Sequence, residues 1–204
     1  MLYHLAEDRS WESIRRLGLL STSALLDRFG VEGGERFAIE SARRPEIVRI
    51  EHPEHGVALV HDNKPMQEKS LEKCLYGMTP REWYELLNRR VFFWVEWKRL
   101  LKLLGARANK DRPRLVLEVE TAELLDRHVE RVTLSPINSG ATFPLGPAPR
   151  GPDTFRRIAN HPEGKPVVEL AVDHAVPDMA DLTLTVSRWQ GGEKLEDVWH
   201  RPAG

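Results

Sequence analysis

Short apolar runs, each bounded by charged residues, glycine or proline, limit the folds that this chain can adopt. The clearest runs cover residues 91–94, 115–119 and 167–172. Bulky or alternating apolar residues over such lengths are typical of β-strands. They are also far shorter than the roughly 20 apolar residues that a membrane-spanning helix needs. The sequence therefore predicts a chain built around a β-sheet, without a transmembrane helix.

Helix signals lie between these runs. Thr79 followed by Pro80 predicts a capped helix that runs to Asn88, and Ser10 is placed to cap a helix that ends at Gly18. Further helices are predicted over 21–29, 35–42, 68–75 and 96–104, further strands over 2–5, 131–134 and 182–189, and a hairpin from 47–50 and 57–60. Because strands and helices are mixed and no repeat is present, we predict an α+β fold with a mixed or antiparallel sheet.

The composition fits one globular domain. Of the 204 residues, 41% are hydrophobic and 30% are charged, which is enough to bury a single core. We predict one domain over 1–190 and a loose polar tail over 191–204, because Gly191-Gly192 is followed by polar residues. The 30 basic and 31 acidic residues create no overall field that would attract nucleic acid or a membrane.

Cysteine content and the first residues favour the cytoplasm. Cys74 is the only cysteine, which excludes a disulfide framework and suits a reducing compartment. The N-terminal residues do not show a basic head followed by an apolar run, so no secretory signal is predicted. We therefore expect a cytoplasmic protein with no membrane partner.

A long loop is predicted over 135–152, where five prolines interrupt the chain. Segments of this kind without secondary structure are usually lids, binding loops or flexible excursions. A cover over a binding site and a simple surface excursion both fit the sequence.

Several familiar catalytic motifs are missing from the sequence. There is no glycine-rich phosphate loop, no Gly-x-Ser-x-Gly elbow and no His-Glu-x-x-His pair. His52, His55 and His61 lie on or beside the predicted hairpin, where we expect turn residues rather than metal ligands. No metal site is predicted.

Two titratable residues, His4 and Glu169, stand inside apolar strand candidates. Such a side chain is either solvated on a wet face of the sheet or directed into a site, and both interpretations stay open for each residue on its own. A carboxylate inside an apolar strand is costly unless it is paired or faces a cleft. Glu169 is therefore a candidate site residue.

Three segments resemble ADP-ribosyltransferases of the DarT type. Residues 3–7, Tyr-His-Leu-Ala-Glu, and the helical string up to Ser21 resemble the opening of that family, in which a strand-borne histidine precedes a helix followed by Gly-Leu. Residues 39–44 are similar to its Ile-Lys-x-Arg-Arg segment, and residues 168–172 are similar to the strand that carries its catalytic glutamate. The whole pattern resembles an uncharacterised bacterial family within or near this group more closely than DarT itself.

The resemblance implies an ADP-ribosyltransferase-like fold, in which helices flank a split sheet that holds NAD as the substrate, without a metal. His4, Arg43 and Ser10 would then contact NAD, with the His4 imidazole on the nicotinamide-side ribose. Arg44 would contact the phosphates or the reacting part as a catalytic residue, and Glu169 would be the catalytic carboxylate that orients the ribose and the acceptor. In such a reaction a carboxylate stabilises the oxocarbenium-like state that forms as the bond to nicotinamide loosens.

A basic region is the candidate surface for an acceptor. Between residues 81 and 114, ten basic residues outnumber four acidic ones, and tryptophans are interleaved. Such a surface can follow a phosphate backbone while its rings stack on bases. We predict Arg89, Arg90, Trp97 and Lys98 as contacts to a DNA or RNA acceptor, with a solvated helix face and core tryptophans as the alternative. An antitoxin is a further partner that the resemblance implies.

The leading hypothesis is an NAD-dependent ADP-ribosyltransferase that modifies a nucleic-acid base. The alternative is a catalytically silent NAD- or nucleotide-binding or interaction module with the same fold, because the asparagine that helps to hold NAD in the family has no counterpart at Ser10 or Trp11. An RNA 2′-phosphotransferase shares the general architecture, but its phosphate-gripping basic cluster is not evident in the sequence.

Overall fold

The computed structural model describes residues 1–106, 109–142 and 147–202. The helices are α1 (Trp11–Leu17), α2 (Thr22–Arg28), α3 (Gly33–Glu40), α4 (Glu68–Cys74), α5 (Pro80–Asn88), α6 (Trp97–Leu104), α7 (Thr121–His128) and α8 (Met179–Leu182). The strands are β1 (Leu2–Glu7), β2 (Leu19–Leu20), β3 (Val48–His52), β4 (Gly56–Val60), β5 (Arg90–Trp94), β6 (Arg114–Val119), β7 (Val132–Ser135), β8 (Glu169–Asp173), β9 (Ala175–Val176), β10 (Thr183–Gln190) and β11 (Glu193–His200). None of the helices in this part of the chain has both the length and the apolar character needed to cross a membrane.

A central sheet of seven strands organises the molecule. Its order is β11-β10-β6-β1-β5-β8-β7, and each neighbouring pair is antiparallel. Two small sheets, β2 with β9 and β3 with β4, complete the strand pairing. The predicted α+β class, with an antiparallel sheet flanked by helices, is therefore confirmed.

Helices cover both faces of this sheet, so its central strands are buried on both sides. Leu117 and Val116 are neighbours in β6, and they point into opposite layers because side chains alternate along a strand. The layer around Leu117 receives α1, α7 and α8, and the opposite layer receives α4, α5 and α6. The helix residues that fill the two layers are Trp11, Ile14, Leu124, Met179 and Leu182 on one side and Leu71, Trp83, Leu100 and Leu104 on the other.

The sheet is forked between β1 and β5. Strand β1 pairs with β6 along its whole length, from Leu2 opposite Val119 to Glu7 opposite Arg114. With β5 it pairs at one position only, Tyr3 opposite Trp94. Beyond that pair the two strands diverge, and the fork opens toward Glu7 on one strand and Arg90 on the other.

The N-cap predicted from the sequence is present at α5 but absent at α1. Thr79 accepts a hydrogen bond from the Glu82 backbone N–H, and the Glu82 carboxylate accepts one from the Thr79 N–H, which forms a complete capping box. Ser10 does not cap α1 through its side chain. Its hydroxyl instead donates to the Glu7 carbonyl oxygen at 2.8 Å, because the chain makes a tight turn between β1 and the helix.

The prediction of a loose tail after Gly191-Gly192 was wrong for residues 193–200. They form β11, which pairs with β10 along its length. Both glycines have positive φ, 61° and 94°, as the central residues of a two-residue hairpin turn require. Most β11 side chains are exposed, so the strand is held by its backbone and by Trp199, whose ring lies 4.9 Å from that of Trp11. Part of the predicted loop over 135–152, residues 143–146, lies outside the described residues.

Trp199 provides a test of this correction. Trp199→Ala removes a side chain that packs on the main core, and we expect the free energy of unfolding to fall by about 2 kcal/mol, less than for a fully buried tryptophan. Leu195→Ala, at a position in the same strand that is 51% exposed, should change it by less than about 0.5 kcal/mol. Urea denaturation of the two variants and the wild type measures both values. Equal effects of the two substitutions would contradict the packing of β11.

Candidate functional site

His4 occupies the point where β1 and β5 separate. Its Nδ1 lies 2.8 Å from the Phe92 carbonyl oxygen of β5, and its ring contacts that of Phe93 with centroids 5.7 Å apart. Burial, together with the nearby Arg114 and His61, lowers the pKa of His4 to about 4, against the opposing effect of the Phe92 carbonyl. The imidazole is therefore neutral at pH 7. Because Nδ1 must donate to a carbonyl oxygen, Nε2 carries the lone pair and can accept a hydrogen bond.

A cluster of charged residues, Glu7, His61, Arg112 and Arg114, lies at the open end of the fork. The Glu7 carboxylate contacts the His61 imidazole and is 3.6 Å from Arg114 Nη1 and from Arg112 Nη2. Arg114 is only 3% exposed and also donates to the Ala6 carbonyl oxygen at 3.1 Å. Burial opposes ionisation of Glu7, but the hydrogen bond and charge of His61 and the two arginines lower its pKa to about 2. The fork mouth thus holds an ionised carboxylate among positive charges.

Arg44 lies beside this cluster but is turned into the protein interior. It is 7% exposed, and its guanidinium donates to the carbonyl oxygens of Ile39 and His61. Its Nη2 also lies 3.5 Å from Asn88 Oδ1. The side chain therefore ties the ends of α3, β4 and α5 together next to the fork. This geometry favours a structural role for Arg44 over the catalytic contact with NAD that the sequence predicted.

The two other predicted NAD contacts are also engaged with the backbone. Arg43 donates from Nε to the Met66 carbonyl oxygen at 2.8 Å and lies near that of Lys64. Ser10 donates to Glu7, as described above, and so sits close to the charged cluster at the fork mouth.

Glu169 begins β8 on the other side of the fork. It is paired with Trp94 of β5, which is itself paired with Tyr3 of β1, so these three side chains form one row on one face of the sheet. With strands about 4.8 Å apart, Glu169 lies about 10 Å from Tyr3 across the row. His4 follows Tyr3 in the strand and therefore projects from the opposite side. His4 and Glu169 flank the fork without touching each other.

The Glu169 carboxylate is sequestered by the chain that follows β7. It is 5% exposed, and both of its oxygens are 3.2 Å from the Ser139 backbone nitrogen, which donates to them. Burial raises the pKa of Glu169 to about 7, although the Ser139 hydrogen bonds and the charges of Arg150 and Arg99 oppose the rise. The group is thus poised to change its protonation state near neutral pH, as a carboxylate with a chemical role often is.

Arg150 binds the same segment through the Ser139 carbonyl oxygen. It is 2% exposed, its Nη1 donates to the Ser139 carbonyl oxygen at 3.0 Å, and its guanidinium lies over the Trp83 ring, 5.7 Å from the centroid. The Ser139 residue therefore connects a buried positive charge with a buried carboxyl group. Residues 135–142 therefore pack over Glu169 and are not a simple surface excursion.

Of the four residues predicted to contact nucleic acid, two pack against other side chains and two are exposed. Trp97 packs against Tyr3 and Trp189, with centroids 5.1 and 5.2 Å apart. Arg90 forms an ion pair with Asp173 at 3.2 Å and covers the Phe155 ring. Both serve the interior, in line with the alternative that the sequence left open. Arg89 and Lys98 are exposed.

Glu7, His61, Arg114, Ser139 and Arg150 were not among the site residues predicted from the sequence. Of these residues, only Glu7 and Arg114 could have been noticed in the sequence, because they carry opposite charges at the ends of two predicted strands. Their pairing depends on the register between β1 and β6, which are far apart in the chain.

Comparison with known proteins identifies a family but no activity. The family described as "Family of unknown function (DUF7002)" matches residues 1–183. No curated protein and no solved structure matches the chain.

The raised pKa of Glu169 predicts a pH-dependent stability. The folded state binds this proton more tightly than the unfolded chain, whose carboxyl group keeps its ordinary pKa of 4.5. The stabilisation is therefore fully present below pH 4.5 and is lost as the pH rises through about 7, by up to about 3 kcal/mol. Glu169→Gln keeps an oxygen for the Ser139 N–H but cannot ionise, so it should match the wild type near pH 4.5 and exceed its stability at pH 8.

Urea denaturation at the two pH values measures this difference. Glu163→Gln, at an exposed glutamate, is the matched control and should track the wild type at both. A difference between Glu169→Gln and the wild type that stays constant with pH would contradict the raised pKa.

Proposed function

The chain belongs to this family of unknown function, and from its geometry we propose that it is an NAD-dependent ADP-ribosyltransferase that modifies a nucleic-acid base. The observation that carries the proposal is the forked sheet, with a neutral histidine in the fork and a buried carboxyl group of raised pKa on the strand beyond β5. A split sheet with His4 and Glu169 on its strands is what the resemblance to DarT-type enzymes implies.

Each of the two residues has the chemistry that this reaction needs. A neutral His4 with its lone pair on Nε2 can accept a hydrogen bond from a ribose hydroxyl. In the reaction the bond between ribose C1′ and nicotinamide breaks, and nicotinamide leaves with the bonding electrons. The ionised form of Glu169 would stabilise the positive charge that develops on the ribose. The acceptor nitrogen or oxygen then bonds to C1′ and loses its proton to a base or to water.

The assignment of a nucleic-acid acceptor rests on the surface of α6. Lys98 and Lys102 are four residues apart on this helix and both are exposed, so they lie on one face. The same helix contributes Arg99, whose charge acts on Glu169. A positive helix face beside the Glu169 side of the fork would attract a phosphate backbone toward the carboxylate.

A silent module with the same fold is the second candidate function. It is favoured by the state of the two groups that were expected to be catalytic. Both Glu169 oxygens are held by Ser139, and the guanidinium of Arg44 is held by backbone carbonyls. In an active enzyme, residues 135–142 must move to admit the ribose. In a silent module they would stay closed, and NAD would bind without turnover.

Release of nicotinamide from NAD, and transfer of labelled ADP-ribose to single-stranded DNA, RNA or protein, test the proposal. Glu169→Gln should lower both rates by about 100-fold or more, because it removes the charge that stabilises the transition state. The wild-type rate should rise with pH through about 7, as Glu169 ionises. Glu163→Gln should behave like the wild type at every pH.

The outcomes separate the candidates. Binding of NAD in a calorimetric titration without nicotinamide release would select the silent module. Transfer of ADP-ribose to protein but not to nucleic acid would support the transferase activity and show that the acceptor is a protein. Neither binding nor transfer, or a Glu169→Gln protein as active as the wild type, would reject the proposal.

A further inference from the structure

The tip of the β3–β4 hairpin brings together three side chains that can bind a metal. The ligand atoms of His52, Glu54 and His55 all lie within 4.8 Å of one another. From the sequence, His52, His55 and His61 were expected to be turn residues without a metal. In the structure His61 is directed to Glu7, and the third member of the group is the carboxylate of Glu54.

The backbone holds the two imidazoles side by side. His52 is paired with Gly56 at the end of the hairpin, and residues 53–55 form the turn between them. Gly56 has a φ of 78°, a left-handed conformation that closes three-residue hairpin loops. The His52 and His55 rings stack with centroids 4.4 Å apart, and both contact the ring of Phe29, at 6.0 and 5.8 Å. Phe29 is itself buried in the core between α2, α3 and the hairpin, so the rings rest on a fixed surface.

We propose that His52, Glu54 and His55 form a binding site for a divalent transition metal of the zinc class. Two imidazole nitrogens and one carboxylate oxygen are a donor set of open zinc sites, in which a fourth position is left to water or another ligand. The exposed Glu54 side chain can rotate to bring its oxygen to zinc-ligand distance. Mg²⁺ and Ca²⁺ prefer sites made of oxygen ligands alone.

The surroundings allow a metal and limit its affinity. His55 also lines a cavity of about 600 Å³ beside α1, so solvent can supply the fourth ligand. Arg16 and Arg28 are close enough to act on His55 electrostatically, and their charges oppose a cation. His52 Nδ1 accepts a hydrogen bond from the Glu54 backbone N–H at 3.1 Å, so a metal at Nδ1 must displace that bond. We therefore expect micromolar rather than nanomolar binding.

Calorimetric titration of the tag-free full chain with ZnCl₂ tests the site, with Co²⁺ absorption bands as a second readout. We expect one Zn²⁺ per chain, and at least about tenfold weaker binding in His52→Gln, in His55→Gln and in Glu54→Gln. His200→Gln removes an exposed histidine elsewhere and should leave the affinity unchanged. Millimolar Mg²⁺ should not compete with Zn²⁺.

Two results would overturn the proposal. One is no saturable binding of Zn²⁺ or Co²⁺ up to millimolar concentration. The other is undiminished binding in both histidine variants, which would put the metal at another place. Urea midpoints that match the wild type would show that a loss of binding does not come from unfolding. The measurement is independent of NAD, so it stands whatever the outcome of the transferase assay.

Discussion

The hydrogen bond between the His4 imidazole and the Phe92 carbonyl oxygen joins two halves of the central sheet. Strands β11, β10, β6 and β1 lie on one side of it, and β5, β8 and β7 lie on the other. Between the halves the backbone ladder has a single paired position, Tyr3 opposite Trp94. The His4 side chain thus supplies a hydrogen bond between β1 and β5 where their backbones no longer pair. The sheet is continuous at the Tyr3–Trp94 pair and open toward Glu7 and Arg90. A titratable group at such a junction is both a structural link and a candidate ligand contact.

Each half of the sheet carries one carboxyl group near the fork, Glu7 at the open end and Glu169 in the row of the single Tyr3–Trp94 pair, and the two are held in opposite electrostatic states. Glu7 is surrounded by His61, Arg112 and Arg114, which keep it ionised well below its usual pKa. Glu169 is covered by Ser139 and has more distant positive charges, so burial dominates and its pKa rises to about 7. The difference follows from the distance to the nearest cations rather than from burial alone. It leaves Glu169 as the carboxyl group whose charge can change with a modest change of environment.

Local patterns predicted much of the fold, and long-range contacts account for what they missed. The cap at Thr79, the hairpin up to Val60 and the helix that ends at Leu104 depend on neighbouring residues and were read from the sequence. Strand β11 has no fully buried side chain and only Trp199 is half-buried, so its sequence lacks the apolar alternation by which a strand is predicted. Arg44 was predicted as a contact to NAD, but its burial depends on the carbonyl oxygens of Ile39 in α3 and of His61, the residue after β4. In the same way, the contact of Ser139 with Glu169 depends on the path of a proline-rich segment, which no periodicity specifies.

An ADP-ribosyltransferase with this fold would bind NAD in the fork between β1 and β5. A crystal structure of the Glu169→Gln protein, grown with saturating NAD, tests that claim most directly. We predict the nicotinamide-side ribose within hydrogen-bond distance of His4 Nε2, with residues 136–142 displaced so that the side chain of residue 169 is released from Ser139 and becomes accessible from the fork. A dinucleotide bound elsewhere on the molecule, with the Ser139 contact intact and the fork closed, would contradict it.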